Sequence, residues 1–186
     1  MILGDSITAG YGLNPALAFP AVLQQKIDAA GFPFTVVNAG VSGDTTAGGV
    51  RRVEWALSRG AEVLMIALGG NDGLRGTPPS ETAQNLAEII QRARKKAPGV
   101  AVIVAGMQMP LSMGQSFAEQ YQALFPRVAA EHDAALVPFL LEGVGGIAAL
   151  NQPDFVHPTA EGQKLIAANV WKVMEKVLET RRSPRR

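Results

Sequence analysis

Short apolar runs alternate with longer amphipathic stretches along the chain. All but the first run are rich in Val, Ile, Leu and Ala without polar alternation, which is typical of strands buried on both faces. The predicted strands cover residues 2–3, 34–38, 63–68, 100–105 and 135–138.

The stretches between these runs have helical patterns with recognisable ends. The predicted helices cover residues 19–30, 46–59, 81–97, 116–132 and 159–178. The fourth begins with "SFAE", where Ser116 and Glu119 have the spacing of a capping box. Trp55 and Trp171 have apolar neighbours at helical spacing, so we expect both side chains in the core.

Five strands that alternate with helices predict an α/β fold. Right-handed crossovers then give a three-layer α/β/α sandwich around a flavodoxin-like, five-stranded parallel sheet. We expect one domain over residues 1–180 and a short basic tail over residues 181–186, "RRSPRR". In such sheets ligands bind beyond the carboxyl ends of the strands, so the functional site is expected there.

Composition narrows the function classes. The 186 residues are 47% apolar and 18% charged, with a formal net charge of +1. This balance gives no general attraction to nucleic acid. The chain has no cysteine, which excludes disulfides, thiolate metal sites and a cysteine nucleophile. No apolar run approaches the ~20 residues that span a bilayer.

Candidate catalytic residues lie in loops that follow the predicted strands. Ser6 follows the first strand, and "DFVHP" follows the fifth. An Asp-x-x-His turn can bring the Asp154 carboxylate to one nitrogen of His157 and leave the other nitrogen facing a substrate. Ser6 would then attack, His157 would move its proton, and Asp154 would hold the imidazole. The other histidine, His132, lies near a helix end and is expected to interact with the helix dipole.

A serine hydrolase also needs hydrogen-bond donors for the oxyanion of its tetrahedral intermediate. The candidates are the backbone N–H groups of Ser6 and Gly43 and the side-chain amide of Asn71. Asp5 and Asp72 flank these positions, and helix capping or loop bracing explains them best.

The blocks "GDSIT", "SGDT", "GGND" and "DFVHP" resemble, in order and spacing, the four blocks of the SGNH subgroup of GDSL hydrolases. The chain is especially similar to the bacterial thioesterase I, arylesterase and lysophospholipase branch. The resemblance covers nearly the whole chain. It implies the triad Ser6, His157 and Asp154, the oxyanion donors Ser6, Gly43 and Asn71, and the SGNH hydrolase fold. It also implies serine esterase activity, with neither metal nor cofactor.

Two features concern substrate contacts. "DFVHP" stands where "DGIHP" is commoner in the family, so Phe155 would crowd the approach to His157. The segment "GMQMPLSMG" after the fourth strand is rich in methionine. Met107, Met109 and Pro110 are candidate acyl contacts, and packing of the loop on the final helices is an equal alternative.

The expected substrate is a small ester, a thioester or a lysophospholipid, bound by a monomer with at most transient membrane-lipid contact. The alternatives are a carbohydrate acetylesterase with the same triad and a non-catalytic binding module of the same fold. A periplasmic or secreted protein is expected if a leader has been removed, and a cytoplasmic one otherwise.

Overall fold

The computed structural model describes residues 1–182, without the side chain of Arg182. Within these residues the chain forms a five-stranded parallel sheet in the order β2-β1-β3-β4-β5. The strands are β1 Ile2–Gly4, β2 Asn38–Gly40, β3 Val63–Ala67, β4 Ala101–Ala105 and β5 Ala135–Val137. This is the flavodoxin-like order, so the predicted fold class is confirmed.

Helices cover both faces of the sheet. They are α1 Ser6–Ala9, α2 Phe19–Ala29, α3 Thr46–Ala56, α4 Gly70–Leu74, α5 Pro79–Lys96, α6 Gln115–Glu131 and α7 Ala160–Arg182. Single 3₁₀ turns occupy Pro15–Leu17, Leu111–Met113 and Ala148–Leu150. Right-handed crossovers place α3, α5 and α6 on one face, while α2 packs with α7 on the other. The central strands β3 and β4 are almost entirely buried between these layers.

The second strand lies further along the chain than predicted. Residues 34–38 were expected to form it, whereas β2 begins at Asn38. For residues 34–36 the side chain of Gln24 in α2 supplies the hydrogen bonds that a neighbouring strand would otherwise supply. Its Oε1 accepts from the Val36 N–H at 2.6 Å, and its Nε2 donates to the Phe34 carbonyl at 3.1 Å. These backbone groups are therefore satisfied outside the sheet.

The predicted capping box at the start of α6 is wrong. The helix begins at Gln115, and its N-cap is Gly114, without a side-chain cap. Ser116 Oγ instead accepts from Gln120 Nε2, and Glu119 accepts from Gln115 Nε2, each at 2.9 Å. Both side chains thus form i,i+4 bonds on the helix surface.

Trp55 was also placed wrongly by its spacing. Its side chain is 78% exposed, whereas Gly49 and Val53 on the same helix are buried. Two residues along an α-helix correspond to about 200° of rotation, so the face that buries Val53 turns Trp55 outward. Trp171 is partly buried and packs edge-on against Phe32, with ring centroids 6.3 Å apart.

The last helix reaches into the predicted tail. Helix α7 continues to Arg182, and Arg181 Nη1 donates to the Gly99 carbonyl at 2.6 Å. Residues 183–186 of that tail lie outside the described residues. No helix in the described part of the chain combines the length and the apolar character needed to cross a membrane.

Candidate active site

The segment that carries Ser6 turns sharply from strand to helix. Asp5 is the N-cap of α1, and its Oδ1 accepts from the Ile7 N–H at 3.0 Å. A Cβ on Gly4 would lie 2.0 Å from Thr8 Oγ1, so only glycine fits this turn. Ser6 is the first residue of α1 and lies beyond the carboxyl end of β1, the edge at which ligands bind in parallel sheets.

Asp154 and His157 share one loop that is closed by its own contacts. An isolated bridge pairs Asn151 with Pro158 at its ends. Asp154 Oδ1 accepts from the N–H groups of Val156 and His157, each at 3.0 Å. These two bonds hold the carboxylate as an Asx turn beneath the imidazole.

The structure brings Ser6, His157 and Asp154 together in one hydrogen-bonded chain. Asp154 Oδ2 lies 2.7 Å from His157 Nδ1, and His157 Nε2 lies 3.0 Å from Ser6 Oγ. Both distances are within the reach required of a nucleophile, its base and the group that orients the base. The predicted candidate triad therefore has the geometry of a Ser-His-Asp arrangement.

Hydrogen bonds set the charge state of Asp154. The backbone N–H of His157, the His157 side chain and the Val156 N–H together lower the pKa of Asp154 to about 2. An ionised carboxylate can only accept hydrogen bonds, so Nδ1 of His157 must carry a proton. In the neutral imidazole Nε2 then has a free lone pair that faces Ser6 Oγ.

The candidate oxyanion donors are Gly43, on the loop after β2, and Asn71, in the short helix α4 that follows β3. Gly43 has φ +78°, a conformation that favours glycine, and its carbonyl accepts from Arg75 Nη2 at 3.0 Å. Asn71 Nδ2 donates to the Asp44 carbonyl at 2.8 Å. Because an amide nitrogen carries two hydrogens, this bond orients Asn71 and leaves a second donor.

Arg52 of α3 ties the loop after β2 to the sheet. Its Nε lies 2.7 Å from Asp44 Oδ2. Its Nη1 and Nη2 donate to the carbonyls of Ala39 at 2.8 Å and Gly4 at 2.9 Å. One guanidinium thus holds the carboxyl ends of β1 and β2 and the loop that contains Gly43.

Asp72 provides a second brace. It is buried, and it accepts from the backbone N–H and the hydroxyl of Thr46 at the start of α3. Asp5 caps α1 in the same manner. The expectation that capping and bracing explain Asp5 and Asp72 is confirmed.

The candidate substrate contacts divide into buried and exposed residues. Met107 and Met109 are only 6% and 8% exposed. A Cβ on Gly73 of α4 would lie 2.2 Å from Met109 Sδ, so this methionine packs closely against α4. Burial favours packing over acyl contact for both methionines, but the packing of Met109 is on α4 and not on the final helices as expected. Pro110 and Phe155 are exposed.

Phe155 has a backbone conformation that its sequence does not suggest. Its φ is +58°, where a bulky side chain is strained and glycine is not. This explains why glycine is the commoner residue in this block. In this conformation the Phe155 ring is exposed to solvent, two residues before His157.

Two residues near His157 were missed by sequence reasoning. The Tyr11 ring lies against the His157 ring, with centroids 4.4 Å apart. Gln152 Nε2 donates to the Tyr11 carbonyl at 2.8 Å. The available signals were an aromatic residue between two glycines after the candidate nucleophile and a glutamine two positions before Asp154.

Comparison with known proteins decides the family. The GDSL-like lipase/acylhydrolase family matches residues 2–165. The chain belongs to this family.

Relatives of this GDSL hydrolase agree with the assignment. Esterase TesA of Pseudomonas aeruginosa is 41% identical over 179 residues, which are 96% of this chain and 88% of TesA. A thioesterase 1/protease 1/lysophospholipase of Escherichia coli is 36% identical over 90% of this chain and 78% of its own length. The psychrotrophic esterase EstA from Pseudoalteromonas sp., in a structure inhibited by monoethylphosphonate, superposes with a TM-score of 0.88 at 28% identity. That match covers 96% of this chain and 97% of EstA. The predicted family and the prediction of an ester hydrolase are confirmed.

The two carboxyl groups of the active-site edge that have shifted pKa values differ in environment. Burial raises the pKa of Asp5 to about 6, a shift that the Asp44 charge adds to and that the Ile7 N–H and His157 oppose. Asp154 is exposed and accepts hydrogen bonds from Val156 and His157, and these bonds lower its pKa. Asp5 therefore disfavours ionisation, whereas Asp154 favours it.

The raised pKa of Asp5 predicts a loss of stability as the pH rises from about 4 to about 6. In this window Asp5 has lost its proton in the unfolded chain but keeps it in the folded chain. The free energy of unfolding therefore falls by up to about 3 kcal/mol as the pH rises. Above pH ~6 both states are ionised and the cost is constant. Asp5→Asn keeps an acceptor for the Ile7 N–H and should remove this slope. Urea unfolding of both proteins between pH 4 and 8 measures it.

Asp28→Asn is the matched control, because Asp28 is exposed on α2. It should keep the slope of the wild type. Identical slopes in the wild type and Asp5→Asn would show that Asp5 does not titrate in this window.

Proposed function

We propose that the chain is a serine esterase in which Ser6, His157 and Asp154 form the catalytic triad. Its substrates are carboxylic esters with aryl or short-to-medium acyl groups, together with thioesters or lysophospholipids. The observation that carries this proposal is the continuous contact from Asp154 Oδ2 through the two ring nitrogens of His157 to Ser6 Oγ.

Acylation begins with attack of Ser6 Oγ on the substrate carbonyl carbon. The C–O bond to Ser6 forms as His157 Nε2 takes the hydroxyl proton, and the carbonyl oxygen becomes an oxyanion. The ionised Asp154 stabilises the resulting imidazolium through Nδ1–H. His157 then donates its proton to the leaving alcohol or thiol as the bond between that group and the acyl carbon breaks.

The oxyanion is bound by the backbone N–H groups of Ser6 and Gly43 and by the Asn71 amide. Two observations support this assignment: Asn71 is oriented by the Asp44 carbonyl, and Gly43 is held by Arg75. Donors fixed before the reaction need no reorganisation as charge develops, which is the basis of oxyanion stabilisation.

Deacylation repeats the same chemistry with water. His157 takes a proton from the water that attacks the acyl-enzyme, and then returns a proton to Ser6 Oγ as the acyl group leaves as a carboxylic acid. His157 takes one proton and gives one proton in each half of the reaction, so each turnover restores neutral His157 and the Ser6 hydroxyl.

The substrate class rests on the surface around Ser6 and on the relatives. Large apolar side chains are exposed at Val41 after β2, at Leu74 in α4 and at Phe155 in the loop that carries His157. These side chains favour an aryl or acyl group over a carbohydrate. The esterase and thioesterase relatives support esters and thioesters. We further propose that the protein acts as a monomer and that membrane lipid is contacted only transiently.

Removal of the Ser6 hydroxyl tests its proposed role as the nucleophile. Ser6→Ala should reduce hydrolysis of p-nitrophenyl acetate to the background rate and retain the melting temperature, because only the attacking oxygen is removed. A fluorophosphonate should label wild-type Ser6 and fail to label the variant. Wild-type turnover by Ser6→Ala would overturn the proposal, and unlabelled, inactive wild type would favour a binding module.

The two histidines of the chain provide a matched control for this experiment. His157→Ala should behave like Ser6→Ala, since it removes the base. His132→Ala changes the C-cap residue of α6 and should retain the wild-type rate.

The second prediction concerns the oxyanion donor. Asn71→Ala should lower kcat by about 10²–10³ with little change in KM, because the donor acts mainly on charge that develops in the transition state. Asn169→Ala on α7, which removes a bond to the Glu142 carbonyl, is the control and should leave kcat unchanged. An unaltered kcat in folded Asn71→Ala would remove this residue from the site.

The third prediction separates the substrate classes. The kcat/KM value should be higher for p-nitrophenyl butyrate and for an acyl-CoA thioester than for acetylated xylan, since Val41, Leu74 and Phe155 expose large apolar side chains. Rates with acyl chains of two to sixteen carbons measure the length preference. The reverse order, with xylan deacetylated fastest, would favour the carbohydrate acetylesterase.

A further inference from the structure

The imidazole of His157 is held on one side by an aromatic ring. The rings of Tyr11 and His157 have centroids 4.4 Å apart and are tilted by 37°. The His157 side chain is 19% exposed, although its partner Asp154 is 42% exposed. Tyr11 itself is 53% exposed, so it lies between the imidazole and solvent.

Gln152 fixes this ring pair by binding both loops. Its Nε2 donates to the Tyr11 carbonyl at 2.8 Å and to the Pro158 carbonyl at 3.1 Å. Its backbone N–H donates to the His157 carbonyl at 2.7 Å. Residues 11 and 152 are 141 positions apart, so this side chain links the segment that follows Ser6 to the loop that carries His157.

We propose that Tyr11 and Gln152 are positioning residues that hold the His157 imidazole towards Ser6 Oγ. This inference rests on the proposed role of His157 as the base. Gln152 sets the separation of the two loops, and the Tyr11 ring restricts rotation of the imidazole out of line with Ser6. Neither residue exchanges a proton with the substrate.

The ring contact acts most strongly during the reaction. When His157 takes the Ser6 proton it becomes a cation, and an aromatic face within ~6 Å attracts a cation more than a neutral ring. Tyr11 therefore stabilises a state that forms only after substrate binding, which raises kcat rather than affinity. The phenol hydroxyl takes no part, so phenylalanine should replace tyrosine.

Kinetics of two Tyr11 variants test the proposal. Tyr11→Leu should lower kcat roughly fivefold to twentyfold with KM changed less than twofold, and by the same factor for acetyl and octanoyl esters. Tyr11→Phe should retain kcat within about twofold. Trp55→Leu, another exposed aromatic residue, is the control and should match the wild type. A KM effect that grows with acyl length would instead make Tyr11 a substrate contact and overturn the proposal, as would an unchanged kcat.

Gln152→Glu tests the link between the loops. A carboxylate cannot donate to the carbonyls of Tyr11 and Pro158, so kcat should fall in the same range. Gln91→Glu on the exposed surface of α5 introduces the same charge and should leave kcat unchanged. A wild-type kcat in Gln152→Glu would remove this residue from the proposal.

NMR supplies a readout that does not depend on turnover. The chain has two histidines, so His132→Asn assigns the imidazole signals. The ring current of Tyr11 should displace the His157 signals, and Tyr11→Leu should abolish this displacement while Tyr11→Phe keeps it. Unmoved His157 signals in Tyr11→Leu would overturn the ring contact. If instead Ser6→Ala remained active, the proposed function would fail while the NMR result still reported the contact.

Discussion

The hydrogen bond between His157 Nε2 and Ser6 Oγ is 3.0 Å long and joins residues 151 positions apart. Such a contact requires the loops after β1 and β5 to meet at a fixed distance, although β3 and β4 separate these strands in the sheet. The direct passage from β1 through Asp5 into α1 places Ser6 at the carboxyl edge. Helix α7 helps to fix the same segment, because Gln163 accepts from the Phe19 N–H and donates to the Ile7 carbonyl. The fold thus serves the site chiefly by holding one long-range distance.

The carboxyl groups of Asp5 and Asp154 have different pKa values because their surroundings differ. Asp5 adjoins Ser6 and Asp154 is far from it along the chain, yet Asp154 is the one that contacts the His157 imidazole. Burial makes Asp5 harder to ionise, while three hydrogen bonds make Asp154 easier to ionise. Residues whose environments push their pKa values apart take different roles. Asp5 caps the helix that carries Ser6, and Asp154 holds the imidazole of His157.

The sequence predicted well the strands buried on both faces and the residues that follow the ends of parallel strands. Continuous apolar runs identified β3 and β4 because both faces of these strands are buried. The candidate triad could be found because its residues follow strands. Contacts made by single side chains at a distance could not be found in this way: Gln24 shifts the second strand, and no periodicity encodes that contact. The Tyr11 ring was missed for the same reason, and Trp55 was misplaced because apolar character alone does not specify the face of a helix.

The bridge between Asn151 and Pro158 and the two bonds to Asp154 Oδ1 place Asp154 and His157 in one loop that is closed by its own contacts. The contact between these two side chains is therefore set by bonds within residues 151–158. Ser6, His157 and Asp154 therefore meet once this single loop docks against the segment that carries Ser6, and the bond from Gln152 to the Tyr11 carbonyl joins the two.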